Sequence, residues 1–372
     1  MRGWLAGLML LCAASAAAEP IRVATFNASL SRNGPGVLVG DLLDQTPETA
    51  LAFDVIAQVR PDILLLNEVD YDAGGEAAGL IRAALAARGL ELSHRFLAPS
   101  NTGVPSGVDL NGDGTATGPA DAHGFGRFPG QYGMLLLSRF PIAEADSATF
   151  QTLLWRDLPG ATLPVTPAGA PFPSAEAHAL WRLSSKSHWD VAVDTPAGRL
   201  HIFASHPTPP VFDGPEDHNG LRNRDEILFW VRYLDGAVLP ADGGPRQRAA
   251  APFVLLGDLN ADPADGDGLR DGIGTLLNHA LIQDPGQTSE GGRRAAAQQG
   301  GANSGQSGDP AKDTADFNDE RGPGNLRVDY ALPSADLRVV DSGVFWPEPG
   351  AADAALAEAS DHRLVWVDID WP

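Results

Sequence analysis

Asn27, Glu68, His206 and Asp258 share one setting: each directly follows a run of mostly apolar residues. Asn27 comes after Val23-Ala24-Thr25-Phe26, Glu68 after Leu64-Leu65-Leu66-Asn67, His206 after Ile202-Phe203-Ala204-Ser205 and Asp258 after Val254-Leu255-Leu256-Gly257. A short apolar run reads as a buried strand, so each polar group stands where a strand emerges, and the four ends can converge on one rim. The adjacent pair Asp361-His362 stands at the start of a last apolar run. The chemistry that suits this set is attack of water on a phosphate ester. Hard divalent cations take carboxylate oxygen and neutralise phosphate, while Asp and His offer a base for the water and an acid for the leaving oxygen.

The elements that must position these groups alternate between strand and helix patterns. Residues 21–27 alternate apolar and polar, and 63–66 form a continuous apolar run ending at Asn67-Glu68. Further strands are expected at 134–137, 190–193, 200–204, 253–256, 328–332, 337–340 and 364–369. Thr46-Pro47 opens a helix whose buried face is Ala52, Val55, Ile56 and Val59 and which Arg60-Pro61 ends. A second amphipathic helix is expected over 225–234. Strands outnumber helices, and several follow each other too closely for helical crossovers. The pattern predicts one domain of mixed α/β (α+β) type, two packed sheets with helices outside. Stretches near 98–130, 159–177 and 285–324 read as long loops, the last rich in Gly, Gln, Asn and Asp and expected to be mobile in its first half.

Bulk properties narrow the class. Arg2, the apolar stretch through Leu5, Leu8, Met9, Leu10 and Leu11, and the small residues Ala16-Ala17-Ala18 before Glu19 have the order of a secretory signal peptide over 1–18. The domain then spans 19–372, as an exported periplasmic or extracellular monomer with no membrane span. The one cysteine, Cys12, falls in the signal segment and follows Leu11, which does not suit a lipid-anchor site. Thiol catalysis and zinc-thiolate sites are thereby excluded from the mature chain. A formal charge of −22 opposes adsorption to nucleic acid or anionic lipid.

Six short pieces stand in order along the chain: Thr25-Phe26-Asn27, Asn67-Glu68-Val69, Ser205-His206-Pro207, Gly257-Asp258-Leu259-Asn260, Arg327-Val328-Asp329-Tyr330 and Ser360-Asp361-His362. In kind and order they resemble the endonuclease/exonuclease/phosphatase superfamily, which includes deoxyribonucleases, abasic-site endonucleases, inositol polyphosphate phosphatases and sphingomyelinases. The resemblance implies a four-layer sandwich of two packed mixed sheets flanked by helices, with the site at one end. It implies Glu68 as the main ligand of Mg²⁺ or Mn²⁺, with Asp361 and Asn27 beside it. It implies Asp258 and Asn260 on the attacking water and the phosphate, His362 held by Asp329, and His206 as the second histidine of the deoxyribonuclease and sphingomyelinase branches. The sequence departs at Ser29, where some nucleases carry an acid, and at Gln131, which stands near where the deoxyribonucleases place a glutamate to support that second histidine. Gln131 is accordingly expected to orient His206.

Two signals lie outside these pieces. Asp109, Asn111, Asp113 and Thr115 follow the order of a calcium loop, with Gly114 at its bend but Ala120 at the usual acidic position. Both a structural Ca²⁺ and an ordinary polar turn fit it. Lys186 and Arg222 are the leading cations for a substrate phosphate. Three functions remain open from sequence: a metal-dependent phosphoesterase of small phosphorylated molecules or phosphodiesters, an extracellular nuclease, and a calcium-dependent binding protein on an inactive fold of this kind.

Overall fold

The computed structural model describes residues 19–371. Segment 1–18, on which the signal-peptide expectation and Cys12 fall, lies outside the described residues. The chain begins with β1 (Ile21–Leu30), α1 (Val37–Asp44), α2 (Pro47–Val59), β2 (Ile63–Val69), α3 (Glu76–Ala86), β3 (His94–Phe96) and β4 (Gly133–Ser138). It continues through β5 (Ala148–Thr149), α4 (Ala175–Leu180), β6 (His188–Thr195), β7 (Gly198–Ser205), α5 (His218–Leu234), β8 (Leu239–Ala241) and β9 (Gly244–Arg246). It ends with β10 (Phe253–Asp258), α6 (Arg270–Leu277), α7 (Glu290–Gln299), β11 (Ala315–Asp316), β12 (Asn325–Leu326), β13 (Asp329–Pro333), β14 (Arg338–Phe345) and β15 (Leu364–Asp370).

Two sheets carry the domain, in the orders β14-β15-β1-β2-β4-β3 and β13-β10-β7-β6-β5. Each holds one parallel pair, β1 with β2 and β7 with β10, while their other pairings are antiparallel. Parallel strands end together, and their antiparallel neighbours begin where they end. Asp258 at the end of β10 accordingly pairs with Asp329 at the start of β13. The same logic brings the entry to β15, just after His362, beside the end of β1.

Side chains alternate across a strand, and the layers follow from that alternation. Val23, Ile63 and Leu65 of the first sheet meet Val191, Ile202, Ala204, Val254 and Leu256 of the second in an apolar core between the sheets. The opposite face of the first sheet, with Ala24, Phe26, Leu64 and Leu66, packs on Leu38, Phe53, Ile56 and Ile81 of α1, α2 and α3. The outer face of the second, with Phe203, Leu255 and Tyr330, packs on Ile227, Trp230 and Ile273 of α5 and α6. Helix, sheet, sheet and helix make the four layers.

One expected loop is in part a helix. Residues 285–324 contain α7 in their first half, where mobility was expected. Its Gly291 and Gly292 serve close packing rather than freedom: an added Cβ would lie 1.9 Å from the Trp346 carbonyl oxygen at the first and 2.9 Å from the Pro310 carbonyl oxygen at the second. Composition alone does not separate a flexible glycine from one that lets backbones touch.

Gly257 is the tightest such point near the ends of the strands. Its φ is +155°, and a Cβ there would lie 2.0 Å from the Ser205 carbonyl oxygen on the parallel neighbour. Gly257→Ala must therefore part β7 from β10, at about 1–3 kcal/mol. Chemical denaturation should show the midpoint falling at constant slope; an unchanged midpoint would mean that the strands separate without cost.

Candidate active site

Asp258 is the point on which the site converges. Alternation turns it, like Val254 and Leu256, toward the facing sheet, where it is 1% exposed. Asn27, aligned with Val23 and Thr25, faces it from β1 and donates Nδ2 to Asp258 Oδ2 at 3.1 Å. Asn67 Oδ1 accepts from the Asp258 amide at 3.4 Å, and the Asn260 amide donates to Asp258 Oδ1 at 2.9 Å. His206 Nε2 stands 3.3 Å and His362 Nε2 3.6 Å from Asp258 Oδ2. Burial raises the Asp258 pKa to about 6, with the His362 charge opposing and Asp329 adding to the rise.

Glu68 reaches the site by breaking the strand pattern. Alternation alone would turn it with Leu64 and Leu66 toward the helices. Instead Asn67 pairs with Met134 and Val69 with Gly133, leaving Glu68 as an extra residue in β2 with φ of +59°. A bulge of this kind re-aims a side chain. Burial raises its pKa against the pull of His362, Lys186 and Asn27. Ser29 and Asn260 are also left-handed, at +50° each, so three non-glycine residues of the rim hold a conformation costing roughly 1–2 kcal/mol apiece.

The two histidines are held in different charge states. His362 Nδ1 donates to Asp329 Oδ2 at 2.9 Å. Burial disfavours its charge, yet Asp329 and Asp258 prevail and the pKa rises to about 10. His206 is pushed well below its ordinary value by burial and by the charges of Lys186 and His362. It is the neutral imidazole of the pair, and its Nδ1 has no partner. Asp329 is itself braced, since Thr314 Oγ1 accepts from the amides of Val328 and Asp329 at 2.9 Å each.

A buried polar face on α5 sets the loops that carry these groups. Glu226 accepts from the Ser185 amide at 2.6 Å and the Thr208 amide at 2.7 Å, fixing the turns on either side of Lys186 and His206. Asn223 Nδ2 donates to the carbonyls of Thr208 and Leu259. Glu226 was not singled out from sequence, because a buried polar side chain interrupts the apolar period by which the helix was read; α5 begins at His218, not 225. Lys186 is buried, donates to the Pro207 carbonyl at 3.3 Å and has its pKa lowered by burial against the fields of Glu226, Glu68 and Asp258.

Arg222 lines the cleft, with Nε and Nη2 donated to the carbonyls of Leu183, His123 and Arg182. Gln131 does not orient His206: its Oε1 accepts from the Arg127 amide and its Nε2 donates to the Arg32 carbonyl.

Comparison with known proteins agrees with this geometry. The model of the Endonuclease/Exonuclease/phosphatase family matches residues 24–362. The chain belongs to that family. Its members are in general phosphoester hydrolases. Among solved structures, it is similar to an endonuclease/exonuclease/phosphatase from Beutenbergia cavernae at 21% identity and a TM-score of 0.54, over 95% of this chain and 72% of that one. A family protein from Leptotrichia buccalis matches at 14% identity and a TM-score of 0.51, over 94% of this chain and 100% of that one. These likenesses show a shared fold. No curated protein sequence matches the chain.

In this family member the rim opens into a cleft of about 1180 Å³ lined by Glu68, Lys186, His206, Asp258, Asn260, Asp361 and His362, with Asn27 and Asp329 buried behind them. Asp361 is the exposed member. The 109–115 loop borders the cleft through Asn111. It closes on itself: Asp109 takes the amides of Gly112 and Gly114, and Asp113 those of Thr115 and its hydroxyl. Asp121 is turned in to the Leu110 amide. Among the described residues no helix is long and apolar enough to cross a membrane.

Because the one side-chain hydrogen bond of the Asp329 carboxylate goes to His362 Nδ1, the pair should behave as a unit. His362→Ala and Asp329→Ala should each lower kcat by ~10²–10⁴-fold, and the double variant by little more than His362→Ala alone. Multiplying losses in that double-mutant cycle would show the two act independently.

Proposed function

We propose that the chain is an exported, divalent-metal-dependent phosphoesterase that hydrolyses small organic phosphate monoesters or diesters by direct attack of water. The observation that carries this reading is the convergence on Asp258: a buried carboxylate with a pKa near 6, flanked by a neutral and a charged histidine and facing a cleft with a second carboxylate at Glu68.

The donor set suits a hard cation. Glu68, Asn27 and Asp361 offer oxygen ligands at one side of the rim, and the desolvated Glu68 carboxylate is the kind of charge that a cation offsets. Asp258, Asp329 and His362 also place ligand atoms within 4.8 Å of one another. His362, however, is held protonated by its two carboxylates, and an imidazolium has no lone pair to give a metal. Glu68, with Asn27 and Asp361, would hold Mg²⁺ or Mn²⁺. When bound, the ion supplies Lewis acidity to the phosphate oxygens.

The chain's own groups do the rest. Asp258 accepts the proton of the attacking water, for which a pKa near 6 is well placed. The water oxygen bonds to phosphorus as the ester P–O bond breaks. Protonated His362 and Lys186 meet the negative charge on the phosphoryl oxygens. Asn260, whose Nδ2 donates to the Pro207 carbonyl at 3.1 Å, fixes the turn that follows Asp258.

The cleft also speaks to the substrate. Its outer walls carry Phe125, Phe172, Trp181 and Phe212, the last 91% exposed, which suits an organic group attached to phosphate. A net charge of −22 opposes a long polyanion. Hydrolysis of a chromogenic phosphodiester and its monoester should require Mg²⁺ or Mn²⁺ and stop with EDTA. Glu68→Gln should lose ~10²-fold or more at nearly unchanged thermal stability, and plasmid DNA should be cut poorly. Full activity in Glu68→Gln would sink the site assignment, and faster turnover of DNA than of either small ester would make the chain a nuclease.

A further inference from the structure

A fourth left-handed residue stands beside the three of the rim. Tyr132, just before the first residue of β4, has a φ of +55°, a conformation that a bulky side chain rarely tolerates. It lies across the β2–β4 pairing from the bulge. Val69 pairs with Gly133, so Glu68 and Tyr132, both left-handed, adjoin the two members of that pair. Both residues line the cleft.

The surrounding structure imposes that conformation. Asp70 Oδ1 accepts from the Tyr132 amide at 3.3 Å and its Oδ2 from the Arg32 amide at 2.9 Å. The Gln131 side chain is held by the Arg127 amide and the Arg32 carbonyl, and the Gly130 carbonyl accepts from the Tyr71 amide at 2.8 Å. On either side the chain is pressed against 69–71. An added Cβ would lie 2.7 Å from the Tyr71 carbonyl oxygen at Gly130 and 2.7 Å from the Val69 carbonyl oxygen at Gly133. Asp70 and Gln131 are buried polar residues without a role in the proton transfers; what they fix is the backbone that carries Tyr132.

Glycine or asparagine would hold the same backbone with less strain; what tyrosine adds is a phenol. Its bond to Asp70 is through the amide, so the hydroxyl stays free among the described residues. Resting on the hydrolytic reading above, we propose that Tyr132 is a further catalytic residue whose phenol donates a hydrogen bond to a phosphoryl oxygen of the bound ester. Lys186 and His362 meet that oxygen charge with cations, and the phenol adds a neutral donor set in place before the substrate arrives. Burial and the Glu68 charge both favour its protonated form, which is the form that donates. The strain at Tyr132 thus has the same use as the strain at Glu68: each turns a side chain into the cleft.

Tyr132→Phe keeps the ring and removes only the hydroxyl. With Mg²⁺ present it should lower kcat toward a chromogenic ester by about 10–100-fold with KM little changed and Tm unmoved. Its affinity for orthovanadate, which takes the five-coordinate form of the transition state, should fall by a similar factor in calorimetry. Gln131→Leu, which loosens the segment, should lose part of the same activity, and the double variant should lose no more than Tyr132→Phe alone. Full kcat in Tyr132→Phe, or an unchanged vanadate affinity, would overturn the proposal. A parent chain that hydrolyses no ester in Mg²⁺ or Mn²⁺ would instead defeat the hydrolytic reading, and the vanadate titration would still decide whether the phenol meets a phosphate-like anion.

Discussion

The hydrogen bond from Asn27 to Asp258 joins the two sheets at the end of their common core, and the site is organised around it. Both residues are continuations of strand faces that are otherwise apolar: Val23 and Thr25 lead to Asn27, Val254 and Leu256 to Asp258. Where the packed aliphatic side chains stop, the inward positions of the same two strands become polar and meet across the gap at 3.1 Å. A buried carboxylate in that place needs donors, and it has them from Asn27 and from the Asn260 amide, while Asn67 Oδ1 accepts from the Asp258 backbone amide. The resulting cradle also decides what can approach Asp258 from the open side, which is where His206, His362 and the cleft lie.

Positioning here depends on conformations that an isolated strand would not adopt. Regular pleating would send Glu68 into the helical layer; a left-handed residue and one extra position in β2 send it to the rim instead. Ser29 and Asn260 pay a similar conformational cost beside it. Such strain persists because the core on both sides over-determines the strands, with Leu64, Leu65, Leu66, Val254, Leu255 and Leu256 all fully buried. Electrostatics adds a second imposed state. Burial by itself would neutralise both histidines, yet two carboxylates within reach keep His362 charged while the charges of Lys186 and His362 help keep His206 neutral.

Much of this was legible in the sequence because strand ends are local. Apolar runs ending in Asn27, Glu68, Asp258 and before His206 marked the rim, and 134–137, 190–193, 200–204, 253–256 and 364–369 all fall within strands. What was hidden is what depends on partners distant in the chain. The bulge at Glu68 shows only in the register with β4. Glu226 and Asn223 look like the polar side of a helix until their contacts with Ser185, Thr208 and Leu259 are seen. Gln131 had the right place in order but is drawn to Arg32 and Arg127 instead of His206. Arg222 carries a phosphate-binding side chain, yet backbone carbonyls hold its Nε and Nη2. The glycines of α7 suggested a loop because composition does not reveal the Trp346 backbone packed against them.

The central claim is that the catalytic ion is held by Glu68 with Asn27 and Asp361, while Asp258, Asp329 and His362 form a proton-bearing group that binds none. The two sites lie within one cleft, and anomalous diffraction from crystals soaked in Mn²⁺ separates them. The account predicts a manganese peak at coordination distance, about 2.0–2.2 Å from a Glu68 oxygen, on the side of Asn27 and Asp361. A peak among Asp258, Asp329 and His362, with none at Glu68, would contradict it.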